Sequence, residues 1–224
     1  MKFDSQNELI EIQFLADRIL FRIYASRSLE DLESILQDPI ISKYVMNKDR
    51  YHQLNLNITK EQVQAYISSG FFRADGSIDE TKLEQESAAI KLLYAFLWKQ
   101  GDLQKVKYIV QGVTNHEPVP ESGMVLYYFG KHLADKKHPI IDQHVIRAFA
   151  MATKKPQINE DILSKKDIDN IQSYIHWFQH ELHSDIRDNS DCRYMVDQVL
   201  YALGKRIKKE ISDAYPKIYA NNGR

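Results

Sequence analysis

Eight glycines and six prolines in 224 residues constrain this chain more than any single motif. The glycine share is about half the usual one. A β-sandwich or barrel of this length needs a turn signal about every 8–12 residues, and so few turn-formers cannot supply them. The shortage predicts helices joined by short connections. Hydrophobic residues make up 43% and charged residues 27%, enough apolar material for a packed core and too much for disorder. No apolar run approaches the roughly 18 residues of a spanning helix. The opening MKFDSQNELIE is too acidic for a signal peptide, so the expectation is no membrane partner and a cytoplasmic location. The lone Cys192 forms no internal disulfide, thiolate zinc site or iron–sulfur cluster by itself. The net charge is −1, so any affinity for nucleic acid has to come from a local basic patch.

Apolar periodicity and capping signals divide the chain. Leu9, Ile12, Leu15 or Ala16, Ile19, Leu20 and Ile23 fall on one face of a helix from Ser5 to about Tyr24. Ser28 with Asp31 and Thr59 with Gln62 read as capping boxes, and Gly70 as a left-handed stop. Ser77 with Glu80 opens a long helix that ends at Gly101. Asp102 is expected to cap a short helix through Val110 that stops at Gly112. Met124 to Phe129 is apolar throughout, and its flanks favour helix over strand. Asp142 is placed to cap a helix to about Thr153, and Ser164 with Asp167 to start another to about Leu182. A last helix begins near Ser190 or Asp191 and reaches Leu203, with Lys205, Arg206, Lys208 and Lys209 extending or following it. About nine or ten helices in one compact unit is the reading.

The segment Gly123-Met124-Val125-Leu126-Tyr127-Tyr128-Phe129-Gly130-Lys131, then His138-Pro139-Ile140-Ile141-Asp142-Gln143-His144-Val145-Ile146-Arg147, resembles the helix-hairpin-helix DNA glycosylase superfamily and its adenine glycosylase branch. There a buried helix is followed by a Pro-apolar-apolar-Asp step at the start of the next helix. Pro139 to Asp142 matches that step, and His144, Val145 and Arg147 its continuation, which makes His144 and Arg147 candidate substrate- or DNA-binding residues. Arg193, Val196, Asp197, Leu200, Leu203, Gly204 and Lys205 resemble the family's closing helix. The resemblance implies an all-α, compact, two-lobed fold, with tentative lobes 27–135 and 1–26 plus 136–224. It also implies a monofunctional hydrolase acting on the N-glycosidic bond of a damaged or mispaired base, with Asp142 as the essential carboxylate.

The chemistry suits such a residue. Breaking an N-glycosidic bond creates a sugar cation that a carboxylate stabilises while it orients or deprotonates water, and the base must first leave the stack. The simpler reading of Asp142 is a helix cap. The family's phosphate-gripping hairpin carries two closely spaced glycines, whereas Pro118-Val119-Pro120-Glu121-Ser122-Gly123 has one glycine, two prolines without N–H donors, and an acid. The position 19 residues before Asp142, where bifunctional relatives hold a lysine nucleophile, is Gly123, so no Schiff-base chemistry is expected there. No cofactor is expected.

Other candidates surround this step. Tyr127 and Tyr128 offer rings for stacking on an extruded base, and core packing is their simpler role. Lys131, Lys136, Lys137, Lys154 and Lys155, with the cluster Lys205, Arg206, Lys208 and Lys209, would form a DNA-facing rim, or only a solvated face. His176, His180 and His183, at spacings of four and three, form a low-specificity candidate metal group. The alternative to the enzyme is a non-catalytic member of the same fold that binds nucleic acid or protein.

Overall fold

The computed structural model describes residues 5–47, 54–117, 119, 121–153 and 168–214. Among them the chain is helical: α1 (Ser5–Ala25), α2 (Leu29–Leu36), α3 (Lys60–Ser68), α4 (Ala88–Gln100), α5 (Leu103–Thr114), α6 (Met124–Ala134), α7 (Gln143–Thr153), α8 (Ile168–His176), α9 (Ser184–Arg187) and α10 (Ser190–Ala214). Short 3-10 turns and one π-helical turn, Trp177–Glu181, connect them. Phe72 and Ile78 form a single antiparallel bridge, and no strand occurs among the described residues. The fold is all-α and multi-helical. It divides into two compact units, Met1–Leu54 with Ile141–Arg224, and Asn55–Ile140.

In the first unit α7 is the central helix. All residues from His144 to Met151 are buried, the pattern of a helix enclosed on every side. It packs most extensively on α10, and also on α1 and α8. α1 contributes Ile12, Ala16, Ile19 and Ile23, whose spacings of four, three and four form the stripe the sequence predicts, with Ala16 rather than Leu15 at the second position. α2 begins with the expected capping box: the Ser28 hydroxyl accepts from the Asp31 N–H, and the Asp31 carboxylate accepts from the Ser28 N–H. Its buried Leu32 and Ile35 belong to a helix that packs on α10, so residues 27–54 group with the terminal unit. α10 runs to Ala214, so the basic residues after Leu203 lie on helix rather than in a tail.

The second unit is organised by α5 against α6. Gly112 is not a helix stop. α5 continues to Thr114 and ends with Asn115 in the left-handed region, φ 57°. Gly112 instead lies at the crossing with Gly130 of α6, where a Cβ on Gly112 would fall on the Tyr127 carbonyl oxygen and one on Gly130 on that of Ile109. The two helices approach backbone to backbone. The long helix expected from Ser77 begins later, because Asp79 caps a 3-10 turn, Glu80–Gln85, and Ser87 then caps α4. Asp102 makes no side-chain cap of α5. The Ser164–Asp167 cap, Lys154 and Lys155 lie outside the described residues.

Replacing Gly130 by alanine forces α5 and α6 apart, and overpacking of this kind costs about 1–3 kcal/mol or more. Urea denaturation of Gly130→Ala checks this, with a lowered midpoint expected at an unchanged slope.

Candidate functional site

The site begins with a break in the chain. Proline cannot continue a helix and biases the residue before it toward extended backbone, so His138-Pro139 separates α6 from α7. Ile141 is buried, and Asp142 comes next, partly exposed, immediately before α7. Asp142 Oδ1 accepts from the His144 N–H at 2.6 Å, and its carbonyl accepts from the Ile146 N–H at 3.0 Å. This is an N-cap: the carboxylate satisfies one of the helix's free first-turn donors and lies at the positive end of its dipole. Among the described residues nothing donates to the second oxygen, Oδ2. Asp142 therefore holds the helix with one oxygen.

Behind the cap stand two buried polar side chains. His144 is 7% exposed and Arg147 4%. The Arg147 guanidinium donates from Nη1 to Nδ1 of His144 at 2.9 Å. Arginine has no acceptor, so Nδ1 must carry a lone pair, which makes His144 the neutral tautomer protonated on Nε2. Burial pushes the imidazole pKa down to about 4; Asp142 opposes this, while Arg147, Lys208 and Lys205 reinforce it. Both residues lie inside the unit.

α10 packs against the same turn. Tyr201 meets the His144 ring edge-on, centroids 5.1 Å apart, and Lys205 Nζ lies 5.4 Å from the centre of the Tyr201 ring. A Cβ on Gly204 would fall on the carbonyl oxygen of His144, so only glycine allows α10 to approach the first turn of α7. Tyr201, Gly204, Lys205 and Lys208, at i, i+3, i+4 and i+7, share one helical face. In the sequence Gly204 and Lys205 stand out as parts of a closing helix and Lys205 and Lys208 as parts of a basic cluster, and Tyr201 does not stand out at all. The signal that could have found it is that spacing.

The remaining candidates fall elsewhere. Tyr127, Tyr128 and Lys131 belong to α6 in the second unit. Tyr127 is 2% exposed, packs edge-on against Tyr128 at 5.5 Å and donates to Glu117 at 3.3 Å, with Lys131 Nζ 5.1 Å from its ring centre. Burial first, then the Glu117 charge, raises its pKa to about 12, so it remains a neutral phenol. Lys136 and Lys137 follow α6: the Lys137 N–H donates to Asp135, and the enclosed Lys136 ammonium has its pKa lowered by desolvation. Of the hairpin, Pro118 and Pro120 lie outside the described residues, and Glu121–Gly123 is a 3-10 turn with Gly123 in right-handed backbone before α6.

His176 and His180 stay adjacent, ring centroids 4.9 Å apart, but His183 does not share their helix face. α8 ends at His176, the turn after it is π-helical and shifts the register, and His183 caps α9 by accepting from the Asp185 N–H at 3.3 Å. Among the described residues no group of three or more His, Cys, Asp or Glu side chains is arranged to hold a metal ion. A cavity of about 700 Å³ lies in the first unit beside Phe14, Arg18, Ile40 and Arg206, and one of about 450 Å³ in the second beside Ile58, Tyr66, Phe72 and Val110. Neither is lined by Asp142.

No protein-family model, curated protein or solved structure matches this chain. No helix among the described residues is long and apolar enough to cross a membrane.

Two outcomes test this geometry. Asp142→Ala removes the cap and lowers stability by about 1 kcal/mol, whereas Asp142→Asn keeps an acceptor oxygen and stays within a few tenths; urea midpoints measure both. His144 has a depressed folded pKa, about 4 against 6.5, so between those values the unfolded chain binds more protons. Stability falls as pH drops through that window, by on the order of a few kcal/mol. His144→Gln flattens that part of the pH–stability curve.

Proposed function

We propose that this protein is a glycosylase-like hydrolase of nucleic-acid bases, with Asp142 as its essential carboxylate. The observation that carries the reading is the state of that carboxylate. One oxygen is tied to the first turn of α7 at 2.6 Å, and the other makes no hydrogen bond among the described residues. The helix start holds the group still. A fixed, partly solvated carboxylate is what departure of a base requires, because the positive charge develops on the sugar at one place.

In the proposed reaction the bond between the sugar C1′ and the base nitrogen breaks, and its electron pair leaves with the base, which takes up a proton from solvent water. A water adds to C1′ and gives its proton to Asp142. The carboxylate stabilises the sugar cation between these events. Lys205, on the face of α10 that carries Tyr201, is the cation of this site assigned to the nucleic-acid backbone in the proposal. His144 and Arg147 are positioning residues in this scheme. The Pro139-Ile140-Ile141-Asp142 step supports the choice of reaction by its resemblance to the helix-hairpin-helix glycosylases.

The test compares wild type with Asp142→Asn on duplexes carrying a panel of damaged and mispaired bases. Because asparagine preserves the cap, loss of activity reports chemistry and not folding. The expected result is base release by the wild type and a decrease of about 10²–10⁴-fold in the variant. Equal release by both proteins removes Asp142 from the mechanism. Release by neither, with salt-sensitive DNA binding retained, identifies a non-catalytic binding member of the same fold.

A further inference from the structure

His176 and His180 form a pair that the proposed hydrolysis does not use. The chain around them is anchored, because Ile175, Trp177, Phe178 and Leu182 are buried, with Trp177 4% exposed and Phe178 1%. The two imidazoles stand on the outer side of this segment: both residues are exposed, and the His176 side chain keeps 66% of its surface. Positions i and i+4 lie about one turn apart on one face, and the rings meet with centroids 4.9 Å apart and planes at 43°. Two imidazoles bound side by side to one ion, at metal–nitrogen distances of about 2.0–2.1 Å, have ring centres about 4.5–5.2 Å apart for angles between square-planar and tetrahedral. The backbone therefore already sets the spacing that a shared ion requires, and only side-chain torsions have to settle.

We infer that His176 and His180 form a two-histidine site for a late first-row divalent ion, the class of Zn²⁺, Ni²⁺ and Cu²⁺. Neutral imidazole suits those ions, whereas Mg²⁺ and Ca²⁺ take oxygen ligands. Local charge favours a cation too. Glu181 Oε1 lies 3.9 Å from Nε2 of His176, and from Ile168 to Ile186 the chain carries Asp169, Glu181 and Asp185 but no lysine or arginine. A structural zinc centre takes four protein ligands. Two donors leave the other positions to water, so the ion is exchangeable and its site does not need the third ligand that His183, occupied in capping α9, fails to supply. Chelation makes the second bond intramolecular, so each imidazole depends on the other. The ion ties the last residue of α8 to the π-helical turn that follows it.

Calorimetric titration of the metal-free full chain with Cu²⁺, Zn²⁺ and Mg²⁺ chlorides reads the site, and NMR of the histidine rings locates it. One Cu²⁺ should bind per chain, more tightly than Zn²⁺ as the general affinity order of these ions requires, and Mg²⁺ should not bind. His176→Ala and His180→Ala should each weaken Cu²⁺ binding at least about tenfold, with circular dichroism unchanged because both side chains are exposed. His183→Ala should leave the affinity as it is. Substoichiometric Cu²⁺, which is paramagnetic, should broaden the His176 and His180 signals ahead of those of the other histidines. No Cu²⁺ binding up to about 1 mM overturns the inference, as does an affinity that survives either the His176→Ala or the His180→Ala change, or broadening that begins at another histidine.

Discussion

The close crossing of α7 and α10 is the contact on which the first unit depends. At Gly204 the backbone of α10 lies against the carbonyl of His144, with no room for a side chain. That contact fixes the first turn of α7, and with it Asp142, which is tied to the same turn through the His144 N–H. The same crossing sets Tyr201 against the imidazole and brings Lys205 and Lys208 near it. Position, packing and electrostatics of the site therefore derive from one missing methyl group. The second unit uses the same device at Gly112 and Gly130.

Two of the buried polar pairs in the first unit are held in different ways. Tyr174, fully buried, donates to Asp197 at 2.8 Å and joins α8 to α10. His144 and Arg147 lie within a single helix, three residues apart, and their hydrogen bond keeps the imidazole neutral. Both arrangements satisfy a buried donor, as a dry interior demands. The second borders Asp142, which is why the proposed chemistry is placed there.

Local signals carried much of the fold. The Ser28–Asp31 and Thr59–Gln62 capping boxes, the left-handed Gly101 and the stripe on α1 all arise from interactions within a few residues, and each was legible. The features that were not legible depend on distant partners. Gly112 looks like a stop in the sequence, because nothing within α5 reveals that α6 passes against it. His183 looks like a third ligand, because helical spacing cannot show that the chain enters a π turn after His176. At the site, the proline step marks Asp142, and the residues just after that aspartate include His144 and Arg147. Their burial, and the opposing face of α10, belong to tertiary packing some 60 residues away in sequence.

The central claim is that His144 is locked, neutral and protonated on Nε2, between Arg147 and Tyr201 at the start of α7. Nitrogen-15 NMR of the histidine rings, monitored as pH is lowered, tests it most directly. The claim predicts that His144 shows a non-protonated Nδ1 at neutral pH and stays neutral down to about pH 4. A His144 that titrates near 6.5, or carries its proton on Nδ1, would contradict it.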